Sequence, residues 1–145
     1  MNGGETPVQF HKSTDYAIRI LHYIHNHTNY RDDIPKAQMI SKAVGITYPY
    51  FIKISNQLRS KGLLISAQGR NGGYQIARPA HKINLYDVVL AMEGGLNISH
   101  CFETDTQQDR EAEHCALQDY YKDIREMLIA KLSSMCITDF GTIRH

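Results

Sequence analysis

Between Ile34 and Tyr86 the sequence contains no aspartate and no glutamate. It also lacks any apolar run near the roughly 18 residues that a membrane-crossing helix needs. The opening "MNGGETP" is polar and has no apolar core of an export signal, so a cytoplasmic location is expected, with no membrane partner. Cysteine is scarce: Cys101, Cys115 and Cys136 are the only three. In a reducing compartment these are expected as thiols or ligands rather than disulfides. Catalytic motifs are missing as well. There is no G-x-S-x-G, no phosphate-binding Walker loop and no paired histidine–carboxylate metal motif, and an enzyme is not expected.

The missing acids leave an uneven charge. The whole chain nets +1. The acid-free stretch carries eight cations, Lys36, Lys42, Lys53, Arg59, Lys61, Arg70, Arg78 and Lys82. The other eight cations share the rest of the chain with all fifteen acids, which leaves −7 there. Such asymmetry within 145 residues points to an anionic partner for the basic part.

Helical and strand periodicities then place these cations. Ser13 or Thr14 is a cap for a first helix with Asp15 in its first turn, and Ala17, Ile20, Leu21 and Ile24 form its apolar stripe. That helix is expected to fade at "HNHTNYRDD". His22, His25 and His27 are not spaced as a strong zinc site and are expected to be solvated. Pro35 is expected to open a second helix that Gly45 ends in a left-handed conformation. Thr47 caps a third, with Pro49 in its first turn, where a missing N–H costs nothing. Phe51, Ile54 and Leu58 mark its buried face; Tyr48, Ile52, Ser55, Asn56 and Arg59 mark the other. Two short helices joined by a tight glycine-containing turn form a helix-turn-helix.

"LLISAQ" and "YQIARP" follow as the strands of a hairpin, with "GRNGG" between them. Gly69, Gly72 and Gly73 permit a tight turn and a close approach to phosphates, and Arg70 and Asn71 sit at the tip. Asn84 and Asp87 resemble a capping box for a fourth helix. Residues 96–114 are polar and acidic and read as a long loop. A final helix from about Cys115 carries Leu117, Tyr121, Ile124 and Leu128, widened by Tyr120, Met127 and Leu132. A lone helix with that stripe needs a partner, and a second copy makes a two-fold dimer.

The fold class expected is mainly α with a small β-hairpin: a winged helix-turn-helix plus a long C-terminal dimerisation helix. Residues 1–9 are a tail, 10–95 the winged domain, 96–114 a loop with a sensing role, and 115–145 the dimerisation helix and C-terminal tail. The third helix fits a major groove about 12 Å wide, and the wing reaches the flanking backbone or minor groove. Expected contacts with double-stranded DNA are Thr47, Tyr48, Tyr50, Ser55, Asn56 and Arg59 on or before the third helix. Lys36, Lys42, Lys53 and Lys61 are expected at phosphates, and Gly69, Arg70, Asn71 and Gly72 at the wing. A homodimer implies a near-palindromic operator. A protein-interaction module of the same fold is the reading from another class.

"TDYAIRILHYI", "GITYPYFIKISNQLRSKGLL", "GRNGGYQIARP" and "INLYDVVLAMEGG" together resemble the IscR, NsrR and CymR type of bacterial transcription regulators, from about Phe10 to Phe140. The resemblance implies a dimeric regulator, expected as a repressor, and many members carry an iron–sulfur cluster while others carry none. Cluster-bearing members typically place three cysteines before the long helix. Here Cys101 and Cys115 stand in that region and the middle cysteine is absent. In NsrR-like members the partner subunit supplies a carboxylate near the start of the first helix, and Asp15 matches that position. His100 or His114 is then a candidate fourth ligand to a 2Fe–2S cluster, with His22 a further alternative. Cys136 lies roughly 30 Å along a helix from Cys115 and reads as structural. Both an iron–sulfur sensor and a cofactor-free regulator answering a small molecule or partner protein remain open. Gln68-Gly69 stands where the family often has Arg-Gly, and Pro49 replaces a frequent serine, so the operator sequence is not implied.

Overall fold

The computed structural model describes residues 9–31, 33–96, 98 and 116–140. The elements run α1 (Lys12–Arg31), α2 (Ala37–Val44), α3 (Tyr48–Ser60), β1 (Leu64–Ala67), β2 (Gly73–Ile76), a 3-10 turn (Ala80–Lys82), α4 (Leu85–Glu93) and α5 (Ala116–Ser133). The expected fold class, mainly helical with one antiparallel hairpin, is the one found.

Burial explains why α1 outlasts the expected fade. Ile20, Leu21 and Ile24 are fully buried, and His22 and His27 are buried beside them at 2% and 7% exposure. These two histidines correct the expectation of solvated rings. Helix-period contacts carry α1 on to Arg31: Thr28 Oγ1 donates to Ile24 O, and the Asn26 amide lies 3.3 Å from His22 Nε2. At the N-terminus neither Ser13 nor Thr14 is the cap, because the helix already begins at Lys12. Glu93, the last residue of α4, serves instead, accepting from His11 N–H and from Thr14 Oγ1.

Pro35 does not open α2. It stays extended, and its carbonyl accepts from Tyr74 N–H of β2 at 2.9 Å. A helix there would lose that bond, so α2 starts two residues later. Gly45 ends α2 at φ 82°, and its N–H reaches Ser41 O. Thr47 Oγ1 accepts from Tyr50 N–H, so α3 begins as the sequence implies. Phe51, Ile54 and Leu58 face Ile20, Leu21, Ile24, Ile40 and Val88 in one core.

The hairpin pairs Leu64 with Ile76 and Ala67 with Gly73. Strands of four residues each are shorter than expected, since Gly69 takes φ 102° and Gly72 N–H bonds Gly69 O to close the turn. The Asn84–Asp87 capping box is complete in both directions. After α5 the chain turns back: Leu85 N–H donates to Met135 O, Ile137 N–H donates to Ile83 O, and Ile137 is fully buried. Cys136 is therefore held structurally, its thiol 3.1 Å from His81 O.

Candidate nucleic-acid interface

All eight cations of the acid-free stretch are exposed. Only Arg78 has an acidic partner among the described residues, Asp87 at 3.7 Å. Among the described residues the others have no acidic partner, which suits a surface meeting phosphates.

On α3 the outward positions are Pro49, Lys53, Asn56 and Ser60, spaced four, three and four, so they form one straight stripe. Arg59 flanks it on one side, and Tyr48, half exposed, stands at the N-terminal end. Asn56 is central, with an amide that both donates and accepts. Ser55 does not belong to this face. It is fully buried and its hydroxyl donates to Ile52 O at 3.0 Å, which corrects the expected groove contact. Its burial follows from its place between Phe51, Ile54 and Leu58. Ile52 is half-buried against the core rather than fully turned outward. Tyr50 is half-buried too, its ring edge-on to Tyr16 at 5.8 Å, with the Arg19 guanidinium over the Tyr16 ring. Thr47 is exposed but spends its hydroxyl oxygen on the α3 cap.

The wing supplies the second part. Gly69, Arg70 and Asn71 are exposed at its tip. Gly72 and Gly73 are buried, so the expected phosphate approach at Gly72 is corrected to a packing role. A side chain on Gly72 would strike the carbonyl of Ala67, and one on Gly73 the carbonyl of Pro35. Between α3 and β1 lies an open groove of about 470 Å³ lined by Asn56, Arg59, Ser60, Leu64, Ile65 and Ser66. Ile65 is 49% exposed there. No local motif in the sequence marks Ser60, Ile65 or Ser66. The detectable signal was strand alternation, which turns Ile65 outward once Leu64 is assigned to the core.

Of the expected cluster ligands, Cys101, Cys115, His100 and His114 lie outside the described residues. Asp15 is exposed in the first turn of α1. Among the described residues no three histidine, cysteine or acidic side chains are grouped to hold a metal. His22 is committed to the α1 interior near Asn26 and Phe140. Burial lowers the pKa of His25 below its ordinary value, and the neighbouring His22 adds to that. No helix among the described residues is long and apolar enough to cross a membrane.

Protein aau3 of Rhizobium meliloti is 37% identical over 92 residues, 63% of this chain and 58% of that relative. The regulator NsrR of Shouchella clausii is 28% identical over 99 residues, 68% of this chain and 65% of NsrR. This chain thus spans less than two thirds of these relatives' own length. The structure of T. potens IscR superimposes with a TM-score of 0.72 at 19% identity, covering 94% of this chain and 88% of IscR, a likeness of fold. Residues 10–142 match the model of the Rrf2 family, described as an iron-dependent transcriptional regulator. Members of that family are transcription regulators and not enzymes. With the helix-turn-helix and wing in place and the family match spanning residues 10–142, the chain belongs to the Rrf2 family of transcriptional regulators.

Proposed function

We propose that this chain is a dimeric repressor that grips duplex DNA with α3 in the major groove and the wing tip on the flanking backbone or minor groove. One observation carries this reading: the cations between Ile34 and Tyr86 are all exposed, and among the described residues only Arg78 has an acidic partner, Asp87. Lys53, Asn56 and Arg59 lie on the outward side of α3, and Arg70 extends from the wing. Asn56 and Arg59 suit base edges, because an amide and a guanidinium each form paired hydrogen bonds there. Lys36, Lys42, Lys53, Lys61 and Arg70 neutralise phosphates. Two copies joined through α5 present two such heads and read a near-palindrome.

Binding of a duplex from the protein's own promoter region, followed by fluorescence anisotropy over a salt series, tests the reading. Affinity is expected to fall steeply with salt. Arg70→Ala is expected to weaken binding and to flatten the log–log salt slope by about 1. Asn56→Ala is expected to relax discrimination between operator variants rather than change the slope. Salt-independent binding, or none, defeats the proposal.

The sensing input would be a 2Fe–2S cluster that Cys101 and Cys115 would hold, with Asp15 from the partner subunit and His100 or His114 completing the set. Support comes from the NsrR and IscR likeness and from the open carboxylate of Asp15. Such a group would supply redox and nitric oxide chemistry; the protein's part is to let its presence favour one arrangement of the two heads. The engagement of Cys136 with His81 O favours the cofactor-free alternative, because it leaves two cysteines for four ligand positions. Anaerobic reconstitution with iron and sulfide analysis separates the two. A visible absorption band lost in Cys101→Ala and Cys115→Ala, and kept in Cys136→Ala, supports the cluster; no bound iron selects the alternative.

A further inference from the structure

A second concavity lies at the C-terminal end of α1. It measures about 350 Å³ and is lined by Tyr23, Asn26, His27, Tyr30 and Arg31 of α1 and by Met39 of α2. It shares no residue with the groove between α3 and the wing. The five α1 residues recur at three, one, three and one, so a single helix face presents them all.

Three aromatic rings, Tyr23, His27 and Tyr30, line the face, with the thioether of Met39 opposite. Tyr23 and His27 are 5.7 Å apart and tilted by 34°. Tyr30 is 85% exposed, more open than its size warrants for packing alone. His27 is buried and lies 2.6 Å from Asp33, so its ring is held in place. Asn26 directs its amide nitrogen to His22, which leaves its carbonyl oxygen as an acceptor. Arg31 makes no ion pair among the described residues.

We propose that this is a binding site for a small aromatic monocarboxylate, its ring against Tyr23 and Tyr30 and its carboxylate on Arg31. A volume near 350 Å³ is at the lower end for small-molecule pockets and suits a one- or two-ring acid. The planar guanidinium pairs with a carboxylate through two parallel hydrogen bonds. A phosphate dianion fits less well, because the C-terminal carbonyls of α1 and the Asp33 carboxylate repel each negative charge, and a dianion brings two of them to one guanidinium. A cation over the tyrosines is opposed by Arg31. Nothing here depends on DNA binding, and the site is tested without DNA.

Indole-3-acetate, indole-3-acetamide, acetate and choline are titrated into the full chain, and backbone amide shifts are followed. Indole-3-acetate is expected to give saturable shifts at residues 23–31 and at Met39. The neutral amide and acetate are each expected to bind about tenfold more weakly, lacking the charge or the ring. Arg31→Gln, at an exposed position, is expected to weaken indole-3-acetate about tenfold with the spectrum of the folded protein intact. No saturation by about 10 mM, equal affinity in Arg31→Gln, or choline shifting the same residues as strongly overturns the proposal.

Discussion

Gly73 sits against the chain that joins α1 to α2. A Cβ there would lie 2.5 Å from Pro35 O and 2.8 Å from Ile34 Cγ2. The Pro35 carbonyl cannot retreat without losing the N–H of Tyr74. Gly73→Ala is therefore expected to destabilise by about 1–3 kcal/mol in urea unfolding, whereas Asn71→Ala, exposed at the tip, stays within about 0.5 kcal/mol. The sequence suggested only that the wing glycines turn or approach phosphate. The reason for Gly73 is a neighbour 38 positions earlier, which no local pattern encodes. The histidines of α1 carry the same lesson. Their spacing excluded a strong zinc site but did not reveal burial. His25 prefers its neutral form in the folded chain, through burial first and the neighbouring His22 second. The unfolded chain takes up that proton earlier on acidification. Stability from His25 is thus complete above its ordinary value of about 6.5 and is lost as pH falls through the lower folded value. The drop in melting temperature between about pH 7.5 and 5.5 is expected to be smaller in His25→Gln; an unchanged drop contradicts it.

Elements whose ends are set by neighbouring residues were legible. Gly45, Thr47 and the Asn84–Asp87 box act within four residues of the backbone they satisfy, and each stands where the pattern implied. Elements set by distant partners were not. The start of α1 is capped by Glu93, whose carboxylate takes the His11 N–H and the Thr14 hydroxyl and lies 2.8 Å from His11 Nδ1. Thr14 is fully buried, so removing its acceptor strands a hydroxyl away from water. Glu93→Ala is expected to cost about 2–3 kcal/mol, and Thr14→Val in the Glu93→Ala background to recover part of it. Additive losses in that double variant, measured by chemical denaturation, would show that the two groups do not act together. The shortening of α2 at Pro35 has the same origin, a bond to β2 that outweighs helix continuation. For the site, charge and helix spacing identified Lys53, Asn56, Arg59 and Arg70 as exposed. They could not tell Ser55 from its neighbours, since a small hydroxyl residue suits either face.

At the scale of the whole molecule, α5 is the unbalanced part. Its outward side shows Tyr120 at 68% and Met127 at 71% exposure, with Leu117, Ile124 and Leu128 alongside. The 18-residue helix is about 27 Å long, and an apolar stripe of that length facing water is costly in a lone chain. It is anchored at its middle and beyond its C-terminus: Arg125 Nε donates to Leu96 O, and the following segment returns to bury Ile137 in the winged domain. These contacts tie α5 and the segment after it to the 3-10 turn and to α4, just beyond the wing. In the proposed dimer, pairing with a second copy would bury the stripe and set the distance between the two DNA heads in one step. Met127→Glu would place two carboxylates in that shared seam while leaving the single-chain core untouched. In sedimentation equilibrium the unaltered protein is expected at twice its chain mass of 16.6 kDa, and Met127→Glu at the single value. Its helical content should be unchanged, because the site is exposed in the single chain. On a full operator, affinity should then drop to that for an isolated half-site, since the second head no longer binds at high effective concentration. If Met127→Glu stays dimeric, the α5 stripe is not the seam, and the spacing of the two heads must be set by another surface.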